Sequence, residues 1–110
     1  MKIEIRKFGN ILISRPSGRE ACQVVLAYQA PKNNNETIEI DFAGVKVLTP
    51  SWFDEFITNM AEHFSGRVEL LPTDNASVRA MLPVLAMERH DAAANVLRRA
   101  MKAMSISLAQ

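Results

Sequence analysis

The sequence predicts an α/β fold in which a mixed sheet of about four to five strands is covered by helices. Short stretches of alternating apolar residues take turns along the chain with longer stretches whose apolar residues recur every three or four positions. Turn and cap residues separate the two kinds of stretch. The chain has 110 residues, of which 48% are apolar and 23% charged. These values are typical of one packed domain, so we expect a single domain over residues 1–110.

Two short strands open the predicted order. Ile3, Ile5 and Phe8 stand among charged residues with the spacing of a half-buried strand. Gly9-Asn10 is typical of a tight turn, and residues 11–13 follow as a second apolar strand. Because Gly and Asn tolerate the positive φ of such turns, we expect these two strands to form a hairpin.

The first predicted helix covers about residues 18–29. Ser17 and Glu20 have the spacing of a capping box, in which each side chain satisfies a free backbone N–H group. The predicted apolar stripe consists of Ala21, Val24, Val25 and Tyr28. We expect Pro31 and residues 33–35 to end this helix in a polar loop.

Three further extended segments follow. Residues 37–42 alternate and contain β-branched side chains, which indicates a strand. Residues 45–48 form a short extended stretch after Ala43-Gly44. Residues 68–71 predict the last strand, which Pro72 ends because proline cannot donate to a sheet.

The second predicted helix begins at Thr49-Pro50-Ser51. Thr49 is suited to the N-cap and Pro50 to the first helical position, where its missing N–H costs nothing. Asp54 and Glu55 are then expected in the first turn, where the helix dipole favours negative charge. The apolar stripe consists of Phe53, Phe56, Ile57, Met60 and Phe64.

Two more helices complete the order β-β-α-β-α-β-α-α. Thr73 or Asp74 is expected to cap the third, and Pro83 to kink or split it. A last helix begins at about Asp91. The apolar stripes are Val78, Met81 and Leu82 in the third helix, and Val96, Leu97, Ala100, Met101 and Met104 in the fourth.

Partners of α/β folds usually meet the loops beyond the strand ends, which here include residues 42–51.

Composition excludes several classes of function. The formal net charge is +1, so no strong field points to nucleic acid or to a membrane surface. The basic face of the last helix, formed by Arg98, Arg99 and Lys102, is interpreted as solvated. The one cysteine, Cys22, cannot form an internal disulfide or a zinc site, and we expect it to be buried and inert.

Neither a signal peptide nor a run of about 20 apolar residues is found, so we expect a cytoplasmic protein. The sequence contains no glycine-rich phosphate loop, no paired histidine and nucleophile, and no cluster of metal ligands. His63 and His90 are interpreted as surface or helix-end residues. We therefore expect no enzyme activity, no catalytic residue, no metal and no cofactor.

The central stretch, residues 38–55, contains Asp41-Phe42 followed by Val45, then Thr49-Pro50-Ser51 with an aromatic residue, and then an acidic helix start. This stretch resembles the core element of STAS-like domains, in particular the bacterial STAS-like group of uncharacterised function. Residues 10–20 also resemble that group. The resemblance covers about residues 3–85.

Better-known relatives of such domains are anti-sigma-factor antagonists. The resemblance implies a switch in which a partner, an ATPase-kinase of the histidine-kinase-like type, phosphorylates a serine at a helix start and thereby releases the complex. Ser51 matches that serine and Asp41 the acid at the strand end. The sequence departs from the Asp-Ser-Ser-Gly-type motif of the relatives, because Thr49-Pro50-Ser51-Trp52 stands there.

Each candidate residue has two interpretations. Ser51 is either a first-turn residue whose hydroxyl meets a backbone N–H, or a phosphoacceptor and partner contact. Trp52 lies either at the edge of the core or exposed as an aromatic anchor for a partner. Asp41 either ends its strand and bonds to the next loop, or contacts a partner or lies beside magnesium.

The sequence therefore predicts a non-enzymatic regulatory module that binds a protein partner, without nucleic acid or membrane. The predicted contact residues are Asp41, Thr49, Pro50, Ser51, Trp52, Asp54 and Glu55, with Ser51 as candidate phosphoacceptor. The alternative is a structural or small-ligand-binding homodimeric subunit, which the aromatic-rich region around Phe42, Trp52 and Phe53 favours.

Overall fold

A computed structural model describes residues 1–28 and 35–107 of the chain. The predicted polar loop falls mostly outside these residues, at Pro31 and positions 33–34. Within the described part, strands and helices alternate and pack into one α/β globule, which confirms the predicted fold class.

The bounds of the elements are as follows. The strands are β1 (Lys2–Glu4), β2 (Ile11–Leu12), β3 (Ile38–Asp41), β4 (Val47–Leu48) and β5 (Val68–Leu70). The α-helices are α1 (Arg15–Tyr28), α2 (Pro50–His63), α3 (Ala76–Ala86) and α4 (Ala92–Ala103), and a 3₁₀ helix covers Ile5–Phe8.

The strands form two small parallel sheets rather than one mixed sheet. The larger has the order β1-β3-β5, with Ile3 beside Ile40 and Ile40 beside Leu70. The smaller pairs β2 with β4, with Leu12 beside Leu48. Parallel neighbours need long crossover connections, and α1 and α2 lie within the connections of the larger sheet.

The predicted hairpin between the first two strands is wrong. β1 ends at Glu4, and the chain then coils into the 3₁₀ helix. Ile3 in β1 and Ile5 in the 3₁₀ helix are therefore both buried, although they do not belong to one strand. Gly9 does adopt a positive φ of 127°, but it directs the chain away from β1. β1 and β2 therefore belong to different sheets, each pairing in parallel with a strand much later in the chain.

Helix α1 begins one turn earlier than predicted. The Ser14 hydroxyl accepts the Ser17 N–H at 3.2 Å and caps the helix, so the predicted capping box at Ser17 and Glu20 is wrong. The buried face consists of Gly18, Ala21, Cys22 and Val25. Val24 and Tyr28, which the stripe prediction included, are exposed because α2 packs against the face that contains Gly18.

The other helices follow their predicted stripes. All five predicted stripe residues of α2 are buried, as are those of α3 and α4. Asn75, rather than Thr73 or Asp74, caps α3 by accepting the Val78 N–H. Pro83 does not split α3, because it lies in the last turns and removes one hydrogen bond only.

One core cluster contains buried residues of both sheets and of all four α-helices. In residues 1–28 and 35–107, no polar or charged side chain is buried. The largest buried side chains are Trp52, Phe42, Phe53 and Phe56. No helix in the same residues combines the length and the apolar character that crossing a bilayer requires.

Candidate functional site

The junction between β4 and α2 contains three of the predicted contact residues. Thr49 is the N-cap by backbone conformation, and Pro50 occupies the first helical position, as predicted. The Thr49 hydroxyl caps no N–H group; it donates to the Leu12 carbonyl at 3.3 Å, and the Thr49 N–H donates to the same oxygen at 3.0 Å. Thr49 therefore fixes the start of α2 against β2.

Ser51 lies in the first turn of α2 and is partly exposed. The Ser51 hydroxyl oxygen is 3.4 Å from the Thr49 hydroxyl oxygen. It therefore contacts a side chain and not the backbone N–H group that the first interpretation of Ser51 predicted. The first turn of a helix has free N–H groups and a positive dipole end, and both stabilise an anion. The first turn of α2 contains no acidic residue that would repel one.

Asp41 ends its strand and bonds to the next loop, as the first of its two interpretations predicted. It is the last residue of β3, and one of its carboxylate oxygens accepts the Ala43 N–H at 3.0 Å. Its other oxygen is 3.6 Å from the Lys2 ammonium. Across the described segments, no group of three or more His, Cys, Asp or Glu side chains has the arrangement of a metal site.

Asp54 and Glu55 lie beyond the first turn of α2, so the predicted dipole interaction is wrong. Arginines of α1 pair with them instead. The Arg15 guanidinium donates to Asp54 at 2.7 Å, and that of Arg19 donates to Glu55 at 3.0 Å. These acids join α1 to α2 and are not free contacts on the surface.

A second arginine reaches Asp54 from the loop between α3 and α4. Arg89 donates to Asp54 at 3.0 Å and to Asp91 at 2.8 Å, and it also bonds the Thr58 hydroxyl. Burial raises the pKa of Asp54, but the hydrogen bond from Arg15 and the charge and hydrogen bond of Arg89 outweigh it. The pKa of Asp54 therefore lies below its usual value.

Sequence reasoning missed all three arginines. Arg15 and Arg19 are four residues apart, which places both on one face of α1, and that spacing is a signal that could have identified them. Arg89 stands alone in a loop and offers no such pattern.

Trp52 is fully buried, so its interpretation as an exposed anchor is wrong. Its ring stacks on Phe56 with centroids 5.2 Å apart, and its indole N–H donates to the Ser17 hydroxyl at 3.1 Å. The ring faces α1 rather than the solvent. Trp52 thus supports the position of Ser51 from within the core.

A family model described as a STAS-like domain of unknown function matches residues 23–76, about half of the chain. Over these residues the chain is STAS-like. The match includes β3, β4, α2 and β5 and therefore the whole predicted contact set, but it is narrower than residues 3–85. No curated protein and no solved structure gives a significant match to the chain.

The STAS-like segment does not bring the predicted contact residues into one cluster. Asp41 ends a strand of the larger sheet, whereas Thr49 and Ser51 follow a strand of the smaller one. Asp54 and Glu55 face α1. Pro50 is the one exposed residue of the set, and Ser51 is partly exposed, as are Thr49 and the three acids. Val47, three residues before Pro50, is 41% exposed. We refer to Val47, Pro50 and Ser51 as the Ser51 rim.

Outside the rim, Cys22 is buried as predicted, and burial raises the pKa of its thiol to about 11. His63 and His90 are exposed, also as predicted. The basic face of α4 is not simply solvated, because Arg98 donates to the carbonyls of Ala86 and Arg89.

Proposed function

We propose that this chain is a non-enzymatic regulatory module that binds a partner protein through the Ser51 rim. The observation that supports the proposal is the state of the predicted contact residues. The acids are paired with arginines or with the backbone, and Trp52 is buried. Pro50, Ser51 and the adjacent Val47 are left as an accessible surface of mixed apolar and hydroxyl character.

Phosphorylation of Ser51 is proposed as the switch. A phosphate there would meet the free N–H groups of the first turn of α2, so the modified chain would remain folded. It would add about −1.5 to −2 charges to an uncharged surface and weaken a complex formed with the unmodified hydroxyl. Asp54 and Glu55 would oppose the phosphate little, because arginines of α1 neutralise both.

The STAS-like resemblance suggests the kind of partner, a histidine-kinase-like ATPase. One departure from the Asp-Ser-Ser-Gly-type motif is Trp52 in the place of a small residue. Its ring turns into the core and therefore leaves the surface at Ser51 unobstructed. A kinase partner needs ATP, so we also propose the cytoplasm as the compartment.

The first experiment is a pull-down of the tagged chain from extract of its native host with ATP and magnesium present. We expect an ATPase of the histidine-kinase-like type to co-purify. Recovery of the chain alone would contradict the proposed partner.

The second experiment measures binding of the recovered partner to three variants. Ser51→Ala should bind like wild type, and Ser51→Asp should bind at least about tenfold more weakly because it adds charge to the contact surface. Ser65→Asp is the matched control, since it adds the same charge beyond the opposite end of α2. If both Ser51 variants bind like wild type, the switch does not exist.

A second candidate function is small-ligand binding. A groove of about 330 Å³ lies between α1 and α2, and its lining includes Arg19, Cys22, Leu26, Glu55 and Asn59. Cys22 and Leu26 supply apolar surface to the groove, and Arg19, Gln23, Glu55 and Asn59 supply polar groups. A thermal-shift screen of metabolites would test it, with Leu26→Trp as a variant that fills the groove and should abolish any shift.

A further inference from the structure

The two sheets have four outer strand edges in the described residues, and three of them are protected. At β5, the Arg99 guanidinium donates to the carbonyls of Gly66 and Val68 at 3.0 and 2.9 Å. These outward carbonyls are therefore not available to another strand. Arg99 was predicted to face solvent, but its guanidinium instead protects the edge of β5.

At β4, a hydroxyl closes the edge. The Ser77 Oγ accepts the Leu48 N–H at 3.0 Å and donates to the Leu48 carbonyl at 2.9 Å. At β1, the exposed Lys2 places a charge on the edge, a common protection against pairing with another strand. Each of these edges thus contains a specific obstacle to further pairing.

Among residues 1–28 and 35–107, no comparable obstacle covers the edge of β2. The carbonyls of Asn10 and Leu12 accept N–H groups from β4 and the residue after it. Because successive residues of a strand point their backbone groups in opposite directions, those of Ile11 point away from β4. Ile13 directly follows β2, and continuing the strand by this one residue would turn its backbone groups the same way. Ile11 and Ile13 are 58% and 60% exposed. Residues 10–14 contain no charge and no proline.

We propose that β2 pairs with β2 of a second copy of this chain, antiparallel, about a two-fold axis at Leu12. The segment Asn10-Ile11-Leu12-Ile13-Ser14 has the same polar and apolar pattern in both directions. In this register Ile11 lies opposite Ile13 of the second copy, and each exchanges its outward N–H and carbonyl with the other. Asn10 lies opposite Ser14, so polar residues also meet polar residues.

The charges near the edge permit this pairing. Arg15, the nearest charged residue after the segment, is the first residue of α1 and pairs with Asp54 at 2.7 Å. No residue of the pairing faces a like charge. The result is a continuous sheet in the order β4-β2-β2-β4 across the two copies. The short edge predicts a weak dimer that forms as concentration rises.

Sedimentation velocity of the full chain over a range of concentrations tests the dimer. We expect a monomer–dimer equilibrium in the wild type. Ile13→Lys should raise the dissociation constant by at least about tenfold, because it replaces an apolar cross-strand pair with an unpaired charge. Val84→Lys is the matched control: Val84 is 59% exposed but lies on α3, and its variant should dimerise like wild type.

A wild type that remains monomeric at all concentrations would overturn the proposal, as would a dimer that Ile13→Lys leaves unchanged. Circular dichroism of each variant shows whether it is folded.

The register is tested with Ile11→Cys and Ile13→Cys chains in a Cys22→Ala background. A disulfide-linked dimer should form when the two are mixed and not from either alone, because only the mixed pair is directly opposite. Failure to cross-link in the mixture would rule out the two-fold register.

This inference does not rest on the Ser51 proposal, although Val47 of the Ser51 rim lies beside Ile11 in the smaller sheet. Ser51→Asp should leave the monomer–dimer equilibrium unchanged, since Ser51 is not on the β2 edge. A chain that binds its partner without dimerising would contradict the dimer proposal alone. A chain that dimerises but binds no partner would contradict the Ser51 proposal alone.

Discussion

Gly18 determines how closely α1 and α2 approach each other. A Cβ atom built on Gly18 would lie 2.1 Å from the Trp52 carbonyl oxygen and 2.9 Å from the Trp52 carbonyl carbon. Both are backbone atoms of α2, so no rotamer change can relieve the overlap. The close approach also brings Ser17 within hydrogen-bond distance of the Trp52 indole.

Gly18→Ala is therefore expected to destabilise the chain by about 2 kcal/mol or more. Alanine would gain about 1 kcal/mol of helix propensity, but separating two packed helices costs more. Denaturant unfolding measures the free energy, and the fluorescence of Trp52, the one tryptophan, reports the altered packing.

Gly66→Ala is the comparison for that variant. Its Cβ would contact nothing within 4 Å, but the φ of 77° is costly for alanine, by about 1 kcal/mol. Its native-state Trp52 fluorescence should be unchanged. Wild-type stability of Gly18→Ala would show that the helices are not in contact at this position.

Among the elements, the loop between α3 and α4 is held to α2 by Arg89. The Arg89 side chain is 16% exposed and joins Asp54 and Asp91, while Arg15 joins α1 to the same Asp54. One carboxylate thus connects three parts of the chain. Such a network is worth more than an isolated surface ion pair, because its members are partly removed from water.

Arg89→Ala should lower the free energy of unfolding by about 2 kcal/mol, less than for a fully buried pair because Asp54 keeps Arg15. Arg19→Ala is the matched control, since Arg19 is 56% exposed and its one ion pair within the described residues is with Glu55. Its cost should be about 0.5 kcal/mol or less. Equal losses for the two variants in denaturant unfolding would show that the Arg89 network has no special weight.

For the whole molecule, the same acids determine how stability depends on pH. Burial raises the pKa of Asp54 and of Asp91, but hydrogen bonds and charges of the arginines outweigh it and lower both values in the folded chain. A carboxylate with a lowered folded pKa stabilises the fold above its unfolded pKa, and this contribution is lost as pH falls through the folded value.

The contribution of Asp54 and Asp91 to the free energy of unfolding should therefore be nearly constant above about pH 5. The free energy of unfolding should decline below about pH 4, where these carboxylates become protonated. Denaturant unfolding at a series of pH values measures the decline. Asp54→Asn should be less stable at neutral pH and show a shallower decline in acid. An Asp54→Asn profile parallel to that of the wild type would mean that Asp54 does not contribute to the pH dependence.

Much of this architecture follows from local sequence. The stripes of α2 and α4 have helical spacing over three turns, and their residues are buried as predicted. The alternation before Asp41 predicts β3, and the acid at its end bonds to the next loop. Thr49-Pro50 locates the start of α2 and hence Ser51. These features depend on neighbours within a few residues, which a sequence pattern contains.

Only the tertiary structure decided the strand partners and the surroundings of the site. Gly9-Asn10 permits either a hairpin or a redirected chain, and the choice depends on β3 and β4, which lie far along the sequence. The helical spacing of α2 is the same whether Trp52 faces solvent or α1, and the absence of a side chain at Gly18 brings α1 close. Ion pairs such as Arg89 with Asp54 join residues that share no local pattern, because packing rather than sequence spacing brings them together.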